Sequence, residues 1–173
     1  MSSLINMNKQ FEYAGFVVRL SAYTLDFIII GLPIAAIVVL LFGLKADMVT
    51  ALISSLLFSL LITRHGATPG KKILDLQVIS KEGTNPTFVE AFLREFVGKF
   101  ISGIVLGLGY FWVAFDKEKQ GWHDKIAGTH VVIVKPLAGI KKFIVYFITA
   151  IVILLFMLVL ISTAVLIAKG LFL

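Results

Sequence analysis

Long apolar runs separated by short basic connections set the pattern of the chain, at about residues 16–42, 48–63, 100–115 and 143–168. A helix needs about 20 apolar residues to cross a bilayer core, so the first and last runs are long enough and the middle two are short. Only Gly43-Leu-Lys-Ala-Asp47 separates the first two runs, which predicts a tight antiparallel helical hairpin. A single lysine in that tip places it away from the cytoplasm, and the amino terminus, with Lys9 and Arg19, inside.

The third element is more complex. Pro86 followed by Thr87-x-x-Glu90 marks a helix start with a capping box. Phe88, Phe92, Phe96 and Phe100 recur every four residues on one face, while Glu90, Arg94, Glu95 and Lys99 form the other. Their spacing pairs Glu90 with Arg94 and Glu95 with Lys99, the pattern of an interfacial amphipathic helix. Ser102-Gly103 and Gly107-Leu-Gly109 then interrupt the apolar run. Arg64, Lys71, Lys72 and Lys81 precede the element, and Lys117, Lys119, Lys125, Lys135, Lys141 and Lys142 follow it. Both basic connections favour the cytoplasmic side, which a single crossing between them would contradict. A broken element that re-enters and returns resolves this, with a continuous tilted span as the alternative.

Lys72–Ser80 and Thr129–Lys135 alternate like strands, and either pair as a small cytoplasmic sheet or serve as extended connectors. The expected fold is an all-α integral membrane protein with three to four transmembrane helices, an amphipathic and re-entrant third element, and short extended segments in the cytoplasmic loops.

Composition removes most other classes. The 173 residues are 59% hydrophobic and 15% charged, with a mean hydropathy of +1.00, well outside the range of soluble domains. The net charge of +6 lies in short connections, as expected beside anionic lipid and not for nucleic acid, which is excluded as a partner. Without cysteine there are no disulfides, thiolate metal sites, iron–sulfur clusters or cysteine nucleophiles. The polar start, Met1 to Gly15, precedes an apolar run too long for a signal core, so the first helix is expected to be a retained anchor.

Candidate chemistry centres on Asp26, the only charge between Leu20 and Leu44. A carboxylate inside a span costs several kcal/mol unless partnered. Arg19 lies two helical turns earlier on the same face, about ten ångströms away along the axis, so it aligns with Asp26 without touching it. Arg94 and Lys99 are the first candidate partners, with Arg64 behind them. Two readings of Asp26 stay open: a fixed ion pair that clamps helices, or a carboxylate that alternates between proton and cation. His123-Asp124 divides similarly. Asp124 either caps a short helix with Trp122 at the headgroup level, or His123 beside it forms a proton relay.

His65, His123 and His130 have no spacing that enforces a metal site with Asp116 or Asp124, so neither metal nor resident cofactor is expected. Gly66-Ala-Thr-Pro-Gly70-Lys71-Lys72 has three residues between its glycines where a P-loop needs four, and reads as a turn. Ser54, Ser55 and Ser59 lie in an apolar helix without a nucleophile elbow, and the chain is not expected to be an enzyme.

Several of these motifs occur in a recognisable order. Ala14-Gly15-Phe16-Val17-Val18-Arg19-Leu20 runs into Asp26, followed by Gly66–Val78, Arg94, Phe115-Asp116 and Gln120-Gly121-Trp122-His123-Asp124-Lys125-Ile-Ala-Gly128-Thr129. Over about residues 11–135 this resembles the RDD family of small bacterial membrane proteins. The resemblance implies that the family's arginine and two aspartates are Arg19, Asp26 and Asp124 here. It divides the chain into a membrane domain at 1–138 and an additional carboxy-terminal transmembrane helix at 139–173 packed on it.

It also implies a multi-pass protein of the bacterial cytoplasmic membrane and, from one branch, sodium/proton antiport. In that reading Asp26 carries the ion, Na+ or H+, while Arg19, Arg94 or Asp124 sets its proton affinity. So few spans would then call for a homo-oligomer. The alternative is a non-transporting scaffold or accessory subunit, bound to anionic lipid or a partner membrane protein, in which Arg19, Asp26 and Asp124 are ion-pair and capping residues.

Overall fold

A computed structural model describes residues 12–43, 47–104 and 107–171, and side chains for all of these except residues 47, 166 and 168–171. Lys9, the hairpin tip at residues 44–46 and residues 105–106 in the third element lie outside the described residues. The chain begins with strand β1 (Glu12–Tyr13) and helix α1 (Phe16–Phe42). Helix α2 (Asp47–His65), the short helix α3 (Pro69–Ile73) and strand β2 (Leu76–Ser80) follow. A bent pair, α4 (Phe88–Ile104) and α5 (Leu108–Ala114), leads to α6 (Trp122–Ala127), strand β3 (Thr129–Ile133) and the long helix α7 (Gly139–Leu171).

Three helices, α1, α2 and α7, are long and apolar enough to cross a membrane. Proline inside a helix removes a hydrogen bond and clashes with the preceding turn. In α1 a widened turn over Phe27–Gly31 sits immediately before Pro33, and Leu32 N–H reaches back five residues to the Phe27 carbonyl, so the helix continues. Helices α1 and α7 run side by side, with the Ser21 hydroxyl donating to the Val145 carbonyl at 3.2 Å and lying 3.3 Å from Thr149 Oγ1. Most apolar side chains on α7 are exposed, as expected of a lipid-facing surface.

The strand-like segments do pair. The sheet has the order β1-β3-β2, antiparallel throughout, with Tyr13 opposite Val132, Leu76 opposite Ile133 and Ser80 opposite Thr129. Its buried Leu76, Val78 and Val131 pack with Leu74, Ile62 and Ala22 into a small core against the helix ends. Lys72 and Ile73 belong to α3, so the second strand begins later than its alternation suggests.

That pairing decides the path of the third element. Ser80 and Thr129 are direct neighbours, so everything between them must leave the sheet and come back. The seven residues of α5 rise only about 10 Å, too little to cross a bilayer core of about 30 Å. Helices α4 and α5 meet at 109°. Their limbs fold together, with Tyr110 Oη donating to the Lys99 carbonyl at 2.8 Å. A side chain on Gly109 would stand 2.6 Å from Ser102 Cα, so glycine is what permits this approach. The chain between the two strands thus folds back to the sheet through a bent helical pair and not a straight continuous helix.

Helix α4 is two-faced as its spacing predicts, but its charged face meets protein where that of an interfacial helix would meet water. Arg94 and Glu95 are each only 3% exposed, whereas Phe88 and Phe100 are 40% and 61% exposed. The charged face therefore turns into the protein and the phenylalanine ladder turns outward, Phe92 stacking on Phe96 at 5.4 Å between ring centres. The capping box forms, with Thr87 N–H donating to Glu90 Oε2 at 2.7 Å. The Glu95–Lys99 pair also forms. Glu90 and Arg94 do not pair, because Glu90 is held by the cap and Arg94 is drawn inward.

Candidate functional site

Asp26 lies on α1, 2% exposed, against the short helix α3. Its Oδ2 accepts from the Thr68 hydroxyl at 2.5 Å, its Oδ1 accepts from Gly70 N–H at 2.7 Å, and Lys71 Nζ lies 3.5 Å from Oδ2. The local sequence explains this set. Thr68 is extended, with φ −83° and ψ 163°, and Pro69 opens the helix, so the Gly70 amide has no partner inside its own short helix. Any side chain at Gly70 would run into the Ala22 carbonyl and stand 2.7 Å from Asp26 N.

The expected partners of Asp26 are thus corrected. Arg94 and Lys99 bind other carboxylates, Arg64 is exposed, and the cation beside Asp26 is Lys71. The segment read as a turn resembling a failed P-loop is the receptor for this aspartate. Burial pushes the Lys71 ammonium below the ordinary lysine range, with Asp26 opposing that shift.

Asp124 is fully buried on α6 and joins three elements. Its Oδ2 accepts from Arg19 Nη1 on α1 at 2.6 Å, and its Oδ1 accepts from Arg94 Nη1 on α4 at 2.5 Å. Oδ2 also accepts from Gly121 N–H at 2.9 Å, so Asp124 caps its own helix from the third position. Burial would raise this carboxyl. Arg94, Arg19 and the Gly121 amide outweigh burial and hold it below the usual carboxylate range.

Arg19 further donates from Nε to the Ala14 carbonyl at 2.7 Å. Arg94 donates to Thr129 Oγ1 at 3.2 Å and to Glu95 Oε1 at 3.1 Å, and Lys99 closes the chain on Glu95. Arg94 and Glu95 sit in a second widened turn, Leu93–Gly98, a distortion that often accompanies function. Arg19 and Asp26 share a face of α1 yet serve different centres: Arg19 binds Asp124, and Asp26 binds α3.

His123 is 7% exposed, with Nδ1 3.5 Å from Ser102 Oγ and Nε2 3.6 Å from Asp124 Oδ2. Burial lowers its pKa to about 4, so it is neutral near pH 7 and poorly matched to relaying protons there. The folded value lies below the unfolded one of 6.5, so the unfolded chain binds the extra proton first as pH falls. Stability from this group is full above pH 6.5 and is lost toward pH 4, by at most about 3 kcal/mol. Thermal melts across that range should show this slope and a flatter one in His123→Gln. Equal slopes would refute it.

Among the described residues, no group of three or more His, Asp or Glu is arranged to hold a metal. His130 instead stacks on Tyr13 at 5.2 Å and lies 3.0 Å from Glu118. Sequence reasoning missed Thr68, Gly70 and Lys71 as Asp26 ligands, and Thr129 as a ligand of Arg94. The closely spaced Gly66, Pro69 and Gly70 were the available signal of a tight approach.

A family model described as the RDD family matches residues 13–128. The uncharacterised protein YckC of Bacillus subtilis is 32% identical over 133 residues, 73% of this chain and 88% of its own length. The uncharacterised membrane protein YteJ of the same organism is 38% identical over 134 residues, 69% of this chain and 80% of its own. No solved structure matches the chain.

Proposed function

Starting from the fact that this chain belongs to the RDD family, we propose that it is a membrane scaffold or accessory subunit whose charged residues hold a fixed frame of helices. The chain is a multi-pass membrane protein. What supports the scaffold reading is that both oxygens of both aspartates already have protein partners. Asp26 is engaged by Thr68, Gly70 and Lys71, and Asp124 by Arg19, Arg94 and Gly121. A carrier carboxylate must shed such contacts in every cycle, whereas a clamp keeps them.

In this reading the protein sits in the bacterial cytoplasmic membrane with the sheet and amino terminus inside. Lys72 on α3, Lys142 in the first turn of α7, and Lys81, Lys117 and Lys135 in the connections are all exposed and cluster in the segments that adjoin the sheet, as the positive-inside tendency favours. The exposed apolar surface of α7 is then available to a second copy or a partner membrane protein.

Sodium/proton antiport is the competing reading, and one experiment separates the two. Purified protein is reconstituted with a sodium or potassium gradient and an internal pH dye. The scaffold reading expects proton flux no higher than in empty liposomes. Sodium-driven flux that Asp26→Asn abolishes would overturn it in favour of antiport.

A further inference from the structure

Behind the two aspartates lies a cavity of 320 Å³, within the range of small-molecule sites, roughly 300–1,000 Å³. Its polar wall consists of Arg19, Tyr23, Lys71, Arg94, Lys99, Tyr110 and His123. Among the described residues no carboxylate lines it. Asp26, Asp124 and Glu95 each lie behind a cation that faces the space.

Two deficits converge there. In the connected network Arg19, Arg94 and Lys99 share only two carboxylates, Asp124 and Glu95, so one buried positive charge has no counterpart there. Arg19 Nη2 is also buried without a hydrogen-bond acceptor, although Nε and Nη1 are engaged. A positive charge and an unused guanidinium donor ask for the same thing: an anion rich in acceptor oxygens, as phosphate is.

The remaining wall indicates where that phosphate comes from. Phe16, Leu20, Phe111 and Val113 complete the cavity. An adjoining groove of 490 Å³ shares Tyr23, Lys99 and Tyr110 with it and runs between α1, α2 and α4 along Phe27, Ala35, Ala51 and Phe100. Apart from Lys99, its ion-pair partner Glu95 and the hydroxyls of Tyr23, Thr50, Ser54, Ser55 and Tyr110, that groove is apolar, and its α1 and α2 walls belong to membrane-spanning helices. Lys99 marks the junction, its ammonium 5.2 Å above the Tyr23 ring and 5.4 Å from the Phe58 ring.

We propose that the cavity holds the phosphate headgroup of an anionic phospholipid from the sheet-side leaflet, with an acyl chain lying in the groove. A charged end near the sheet and an apolar end toward the membrane interior match a lipid in its leaflet orientation, and a free phosphate would leave the groove unused. The site is independent of whether the protein transports ions.

The test uses the full chain in detergent, probed by native mass spectrometry and thermal unfolding with phosphatidylglycerol, phosphatidylcholine or inorganic phosphate. Phosphatidylglycerol should bind about tenfold more tightly than phosphatidylcholine, whose phosphate is the same but whose choline brings a positive charge against the cationic wall, and inorganic phosphate should give no comparable protection. Lys99→Gln should weaken phosphatidylglycerol by about tenfold, while the exposed Lys142→Gln should leave it nearly unchanged. Leu20→Trp fills the cavity with every charge kept, so it should abolish the preference even if Lys99→Gln fails to fold. Equal binding of the two lipids, equal losses in Lys99→Gln and Lys142→Gln, or a preference that survives Leu20→Trp would overturn the site. Protection by inorganic phosphate equal to that by phosphatidylglycerol would overturn its assignment to a lipid.

Discussion

Asp124→Asn is expected to destabilise the protein by about 3–5 kcal/mol, the usual cost of removing one partner from a buried ion pair. The substitution retains a carbonyl for the Gly121 cap, so its effect isolates the charge. Without the carboxylate, the Arg19 and Arg94 guanidiniums stay buried near each other with nothing between them to offset their repulsion. The loss would be a large part of the total stability of an ordinary domain. Asp116→Asn supplies the comparison. Its partner Lys125 is 45% exposed, and a pair of that kind contributes less than about 1 kcal/mol. Thermal unfolding of both variants in the same detergent decides the matter: similar costs would mean that Asp124 is not the tie between α1, α4 and α6.

Gly70→Ala should have a comparable effect by a different route. One added methyl would meet the Ala22 carbonyl and the Asp26 backbone, neither of which can swing aside as a flexible side chain would. Helix α3 must then withdraw from α1, which lengthens the Thr68, Gly70 and Lys71 contacts to Asp26 together. Overpacking alone costs about 1–3 kcal/mol, and leaving the buried Asp26 poorly partnered adds about 1–3 kcal/mol more. Gly103→Ala is the control, because nothing lies within 4 Å of the position its methyl would take. In a helix it should be neutral or stabilise by about 0.5–1 kcal/mol. The account of α3 fails if both glycine variants melt together.

Local features of the fold were legible because they depend on neighbours in sequence. The three spans follow from run length, the capping box at Thr87 and Glu90 from spacing, and the returning third element from loop charge. Strand β1 was invisible because two residues cannot show an alternation. The two faces of α4 were legible from spacing, but a two-faced pattern does not say which face meets protein. Next to lipid the apolar side turns outward, and Arg94 and Glu95 are buried. In the site, Arg19, Asp26, Arg94 and Asp124 drew attention as charges in apolar surroundings. Their pairing was not legible: Arg19 and Asp124 are 105 residues apart. Asp26 is held chiefly by a hydroxyl and a backbone amide, groups that carry no charge signal, and by a lysine that looked like part of a basic turn.

The order of the sheet has a bearing on biosynthesis. Its central strand, β3, is the last of the three to be made. A nascent chain that ends before Thr129 has both outer strands but no strand for either to pair with. Arg19 and Arg94 likewise emerge well before Asp124. The ribosome therefore delivers the hairpin of spans first, and the closing strand and the shared carboxylate arrive almost together. A protein truncated just ahead of β3 would retain two of the three long apolar helices and lack both α7 and the strand that joins β1 to β2.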